Sequence, residues 1–219
     1  MDVSYKKDNS PVTSLDLEIE FYIRKVIEDN FPSHSIRGEE FEVTSKDTKL
    51  QWIIDPIDGT FSLISGCPLF GTLLALCVDG VPRYGYMNLP FVNKSELYGD
   101  NKSAFLNGKP VGVRDFPGWD KSLILTTDQQ TIINSPAASF WQNALSKGAV
   151  ARTWGDCFGY YLLCTGHADM MADTSLKEVD ILPLLPILYG AGAVCENFGN
   201  PQHKDIVACS KQFLVELLV

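Results

Sequence analysis

The segment Trp52-Ile53-Ile54-Asp55-Pro56-Ile57-Asp58-Gly59-Thr60 constrains this chain more than any other. Its apolar start reads as a buried strand over residues 51–55 that stops at Asp-Pro. Two carboxylates three residues apart at the end of such a strand repel each other, and burial penalises both charges unless a cation is near. Pro56 removes the next backbone donor and predicts a turn. That turn aims Asp55, Asp58 and the Ile57 carbonyl between them at one point. Gly59 lets a ligand approach the backbone, and a helix or turn beginning there offers N–H groups to a phosphate. Thr60 adds a hydroxyl. The competing reading is a plain turn, because Asp, Pro and Gly all form turns readily.

Further acids lie at Gly38-Glu39-Glu40 and at Asp180, where a helix is predicted to start. Taken alone, Glu39 also reads as a solvated loop acid and Asp180 as an N-cap. With Asp55 and Asp58 they make an oxygen-rich set suited to Mg²⁺, which takes a few carboxylates and completes its shell with water and phosphate oxygens. The net charge fits a metal as the source of positive potential. The 219 residues carry 18 Lys and Arg against 27 Asp and Glu, a formal charge of −9. Such a chain has no general attraction for nucleic-acid phosphates or anionic membranes.

A hydrophobic fraction of 45% with 21% charged residues supports a packed core and excludes disordered, collagenous and coiled-coil classes. Residues 59–78 lack formal charge over about the length of a membrane span, but Gly59, Gly66, Pro68 and Gly71 make them read as loop then strand. The start of the chain shows no apolar leader. Six cysteines without a CxxC pair read as reduced core residues, which places the expected compartment in the cytoplasm.

Thr13 and Asp16 form a capping-box-like helix start, followed by Leu15, Ile19, Tyr22, Ile23, Val26 and Ile27 at helical spacing up to Phe31-Pro32. Strands are predicted over 72–78, 83–88, 96–98 and 123–126 and near Met170, Val194 and Ile206, with a hairpin at Asn107-Gly108. Helices are predicted over 137–145 and 157–165, from about Asp180, and over 211–218. No repeat or linker divides the chain. The expectation is one unit over 1–219, with halves at about 1–120 and 121–219, in which helices cover mixed sheets.

Read in order, SPVTSLD (10–16), GEE (38–40), WIIDPIDGT (52–60), ISG-PLFGTLLAL (64–76), WGDCFGYYLLCTGHAD (154–169) and LKEVDILPLLPILYGAGA (176–193) form a specific combination. On these motifs the chain resembles the inositol monophosphatase-like family of Mg²⁺-dependent, lithium-sensitive phosphatases, most closely its histidinol-phosphatase-like branch. The resemblance implies the α/β/α/β/α sandwich shared with fructose-1,6-bisphosphatases, the metal acids with a mixed sheet in the first half, and a smaller sheet with the Asp180 helix in the second. It implies that Glu39, Asp55, Asp58, Asp180 and the Ile57 carbonyl hold two or three Mg²⁺. Gly59 and Thr60 match the pair that holds the phosphate, Thr60 and Glu39 the groups that polarise the attacking water, and Asp16 the acid that orients the threonine. The implied reaction is in-line attack of a metal-activated water on a phosphomonoester. No covalent phosphoenzyme is implied, so His34, His167 and His203 are expected to be structural or surface residues. A family lysine corresponds to Lys6. A homodimer is the implied assembly.

The chain departs from the family pattern in four places. Val179 stands where an aromatic residue commonly precedes the last metal acid, Leu63 where Phe is usual, and Asp173 where a substrate-contacting Glu is usual. An extra helix usually precedes the SPVT-like segment, so one covering helix is expected to be missing or to lie upstream. Asp156 and Asp173 match positions that face the leaving group. Two anions there suit an ammonium by charge-assisted hydrogen bonds better than they suit a neutral polyol. The expected substrate is therefore histidinol phosphate, with inositol-1-phosphate as the alternative. Asp156 also reads as a plain cap of the helix beginning at 157. From a different class, a catalytically silent metal- or phosphate-binding protein would keep the acids without needing Glu39, Asp16 and Thr60 together.

Overall fold

The structure, a computed structural model, describes residues 2–6, 9–198 and 204–219; His203 lies outside them. In chain order the elements begin with β1 (Val3–Tyr5), β2 (Pro11–Thr13), α1 (Ser14–Asn30), β3 (Ser35–Gly38) and β4 (Leu50–Asp58). They continue with α2 (Thr60–Ile64), β5 (Gly71–Val78), β6 (Val81–Leu89), β7 (Ser95–Gly99), β8 (Ala104–Leu106) and β9 (Lys109–Val111). Next come β10 (Leu123–Leu125), α3 (Gln129–Ile132), α4 (Ala138–Ser146), β11 (Val150–Arg152), α5 (Asp156–Cys164) and β12 (Met170–Leu176). The chain closes with α6 (Glu178–Gly190), β13 (Ala193–Asn197), β14 (Lys204–Ser210) and α7 (Lys211–Leu218).

The layers follow the expected sandwich. A seven-stranded sheet runs in the order β3-β4-β5-β6-β7-β8-β9, with β3 parallel to β4 and the remaining pairs antiparallel. A five-stranded sheet runs β11-β10-β12-β14-β13. Helices α5 and α6 fill the space between the sheets, where Leu73, Met87, Leu125, Leu163, Leu184 and Ala208 share one core. Helix α1 packs Ile23 and Ile27 on the outer face of the larger sheet. Helices α4 and α7 cover the other outer face through Trp141 and Phe213.

Helix α6 is apolar on all sides because both sheets bury it. It tolerates Pro183 and Pro186 in its interior. The Pro186 carbonyl accepts from the Asn101 N–H at 3.0 Å, which ties α6 to the connection between β7 and β8. Close approach of α6 to the sheet depends on Gly85 and Gly99. A Cβ on Gly85 would stand 2.1 Å from the Pro183 carbonyl oxygen, and one on Gly99 would stand 2.7 Å from that of Pro186. These contacts set the height of the α6 N-terminus, and with it Asp180, over β4.

Two sequence expectations change. The strand does not stop at Asp55; β4 runs through Pro56 to Asp58, and the register against β5 shifts between Asp55 and Asp58. Asp55 pairs with Leu73 and Asp58 with Gly71, so three steps on β4 oppose two on β5. In a regular strand, residues three apart point to opposite faces; the extra residue of a bulge returns them to the same face. The bulge therefore does what a turn was expected to do. In α1, Tyr22 and Val26 are exposed, whereas Asp16, Glu20 and Arg24 are buried with Ile27. The inward stripe of this helix is largely polar, for a reason found at the site.

Candidate active site

Asp16 enters the site as the third residue of α1. Its Oδ2 accepts from the Thr13 N–H at 2.8 Å and the Thr13 hydroxyl at 2.5 Å, closing a capping box. That leaves Oδ1 facing the Thr60 hydroxyl at 3.4 Å. The same hydroxyl reaches the Ile57 carbonyl at 3.0 Å. Gly59, the N-cap of α2, sits at φ +90°, a left-handed conformation that favours glycine. Added bulk there would meet the Leu69 carbonyl at 3.1 Å and the Asp156 carboxylate at 3.2 Å.

Glu39 and Glu40 follow β3 and are held from three sides. Lys6 Nζ lies 2.9 Å from Glu39 and 2.7 Å from Glu40, and Lys177 Nζ lies 3.2 Å from Glu39. Burial opposes the charge on Lys6, but Glu40 and Glu39 outweigh it and raise its pKa. Beneath them, buried Glu20 accepts from the Glu40 N–H at 2.8 Å and from Arg24 Nε at 2.7 Å. Gly38 makes room for it, since a Cβ there would stand 1.9 Å from Glu20 Oε1. The polar stripe of α1 thus pins the Gly38-Glu39-Glu40 turn, and Glu39 is an ion-paired group rather than a solvated loop acid.

Asp180 is not the N-cap of α6, which is Lys177, but its third residue: its Oδ2 accepts from the Lys177 N–H at 2.7 Å, and it also faces the acids of β4. Asp55 is buried, and its Oδ1 finds no hydrogen-bond partner among the described residues. Burial first, and then the neighbouring Glu39, Asp58 and Asp180 charges, push its carboxyl well above the usual range. Asp58 is raised likewise by burial and by Asp156, Asp180 and Asp173.

A second acid pair adjoins this group. Helix α5 starts at Asp156, whose φ is +48°, and its N-cap is Gly155 with no side-chain cap bond, so the capping explanation for Asp156 does not hold. The Asp156 N–H donates to Thr127 Oγ1 at 2.8 Å, and that hydroxyl donates to Asp173 Oδ2 at 3.0 Å. Thr127 therefore links the Asp156 backbone to the Asp173 carboxylate. It was not legible in the sequence, lying 29 and 46 residues from them. Asp58, Thr127, Tyr160 and Asp180 join the pair in lining a cavity of about 190 Å³. Burial pushes Asp156 and Asp180 up to about 6, and burial with the Asp156 charge pushes Asp173 up to about 8.

Buried carboxyls in such numbers call for a cation. Among the described residues, no three His, Cys, Asp or Glu side chains form a ready-made metal cage. Mg²⁺ does not require one, because it keeps several waters and binds through a few carboxylates. The orphaned Asp55 oxygen and the all-oxygen donor set fit that ion. Neither described histidine enters: His34 Nδ1 accepts from Trp52 Nε1 at 3.0 Å and its ring stacks on Phe31, while His167 pairs with the Thr165 hydroxyl. All six cysteines are free thiols.

These shifts predict a stability profile. Without metal or substrate, the fold holds protons on Asp156 and Asp180 up to about pH 6 and on Asp173 up to about pH 8, while the unfolded chain, with ordinary values near 3.8, releases them. The unfolded state then binds fewer protons, so stability in EDTA falls as pH rises from about 4 to about 8. Thermal midpoints measured at steps across that window should decline, and Mg²⁺ should restore them most at the alkaline end. A midpoint that climbs with pH in EDTA would contradict the electrostatics described.

A layered α/β sandwich with an acid-lined cleft, fed by a strand bulge and two helix starts, defines the class of phosphoric monoester hydrolases. The chain belongs to the Inositol monophosphatase family, whose pattern matches residues 1–218. It is 33% identical over 202 residues to a histidinol-phosphatase of Chlorobaculum parvum, covering 92% of this chain and 78% of that protein. A fructose-1,6-bisphosphatase/inositol-1-monophosphatase of Aquifex aeolicus is 27% identical, with 95% of this chain and 81% of that protein covered. Among solved structures, an inositol monophosphatase from Zymomonas mobilis superposes with a TM-score of 0.82 at 29% identity, covering 100% of this chain and 87% of that one. The extragenic suppressor protein suhB from Bartonella henselae shares the fold at a TM-score of 0.88 and 21% identity, covering 99% and 86%. The family is metal-dependent, generally on Mg²⁺. No helix among the described residues is long and apolar enough to cross a membrane.

Proposed function

We propose that this phosphatase releases phosphate from a small cationic phosphomonoester, histidinol phosphate first. The observation that carries the reading is the pair of acids, half-buried Asp156 and buried Asp173, which line the same cavity as Asp58 and Asp180. An ammonium on the leaving group would supply the positive charge these acids lack, in charge-assisted bonds worth about 1.5–3 kcal/mol each. The similarity to a histidinol-phosphatase supports the choice.

In this reading Glu39, Asp55, Asp58, Asp180 and the Ile57 carbonyl hold two or three Mg²⁺. Bound there, Mg²⁺ would supply the positive charge that makes a water more acidic and offsets the charge on the leaving oxygen. The Gly59 and Thr60 N–H groups cradle the phosphate at the start of α2. Thr60, oriented by Asp16, aligns the water with Glu39 so that its oxygen attacks phosphorus opposite the ester bond. The P–O ester bond breaks, and the departing alkoxide takes up the proton that the attacking water gives up. Lys6 and Lys177 keep Glu39 in place from two sides.

Asp156→Asn is expected to raise KM for histidinol phosphate about tenfold, the loss of one charge-assisted bond, and to leave KM for inositol-1-phosphate nearly unchanged. Steady-state phosphate release on both substrates checks this. Equal shifts, or faster hydrolysis of inositol-1-phosphate by the parent protein, would favour the neutral-polyol alternative.

A further inference from the structure

Tyr160 lies four residues after Asp156 on α5, so the two side chains share a helical face. Both line the cavity that holds Asp173. Tyr160 is 1% exposed, and its hydroxyl has no hydrogen-bond partner among the described residues. Buried phenol hydroxyls normally find a partner, and leaving one unmade costs about 1–3 kcal/mol. The charges around it include Asp173, Asp58 and Asp180, and burial followed by these carboxylates keeps the phenol protonated. It is therefore a neutral oxygen, with a free lone pair, set among acids.

We infer that Tyr160 is a specificity-determining residue that recognises a primary ammonium on the substrate. An ammonium has three N–H donors and no acceptor. The cavity offers three acceptors to match: the Asp156 carboxylate, the Asp173 carboxylate and the Tyr160 oxygen. The two acids supply charge, and the phenol supplies the third direction, which separates a primary amine from a more substituted one. This assignment rests on the amine-substrate reading given above and deepens it. The substrate class becomes phosphomonoesters of small primary amino alcohols.

The test compares histidinol phosphate with its deamino analogue, 3-(imidazol-4-yl)propyl phosphate, on the parent and Tyr160→Phe. The variant keeps the packed ring and removes only the unpartnered hydroxyl, so its thermal midpoint should match or exceed the parent's. A clear drop would mean that the hydroxyl already serves the fold, and would overturn the assignment. Tyr160→Phe should raise KM for histidinol phosphate about tenfold with kcat little changed. It should weaken calorimetric binding of the product histidinol to the same degree and leave the deamino analogue and Mg²⁺ binding unaffected. Equal effects on both esters, or none on either, would remove Tyr160 from amine recognition. The parent protein separates this failure from the broader one. If it hydrolyses the deamino ester as efficiently as histidinol phosphate, the amine reading itself falls, whatever Tyr160→Phe does.

Discussion

Asp55→Asn is expected to lower kcat about a thousandfold or more at saturating Mg²⁺ while leaving the protein folded. Asp55 is buried on the bulged end of β4, with an oxygen that no described group satisfies and with Glu39, Asp58 and Asp180 as charged neighbours. An amide keeps the shape and removes the charge that a divalent ion needs. Because the carboxyl is already pushed toward its neutral form, the substitution costs the metal-free fold little, and the thermal midpoint in EDTA should not fall. Kinetics and melting must be read together. Near-normal turnover would remove Asp55 from the metal set, and loss of both activity and folding would make it a structural residue.

Thr60→Val should cost about a hundredfold in kcat with Mg²⁺ binding little changed. The Thr60 hydroxyl has a single proton and two acceptors within reach, the Ile57 carbonyl at 3.0 Å and Asp16 Oδ1 at 3.4 Å. Whichever it donates to, its lone pairs remain open to a water in the cleft. Valine fills the same space and offers neither proton nor lone pair. Single-turnover rates and calorimetric Mg²⁺ titration separate the two roles. A variant that loses Mg²⁺ affinity in proportion to rate would make Thr60 part of the metal shell rather than the group that aligns the water.

The parts of this site that lie close together in sequence were readable before the fold was known. Asp55, Ile57 and Asp58 end one strand and Gly59 and Thr60 follow it directly, so their spacing alone points to a metal- and phosphate-binding set. The capping box at Thr13 and Asp16 was equally local. Pro56 signals a turn in the sequence, whereas in the structure a bulge keeps the strand going and brings the two aspartates to one face. Contacts between distant segments were not readable. Lys177 meets Glu39 across 138 residues, and Thr127 joins Asp156 to Asp173 from a loop between β10 and α3. Glu20 and Arg24 carry no signal in the apolar spacing of α1, because that helix buries an ion pair to support the Glu39 turn. The short strands β3 and β11, with four and three residues, carry too little alternation to register. Helix α6 shows its proline-containing course only once both sheets are seen to enclose it.

The most direct test of the central claim is phosphate release from histidinol phosphate and inositol-1-phosphate, measured with Mg²⁺ and again in EDTA. The account predicts release that requires Mg²⁺ and favours histidinol phosphate in kcat/KM. Equal release in EDTA, or Mg²⁺ and phosphate binding without hydrolysis of either ester, would contradict it.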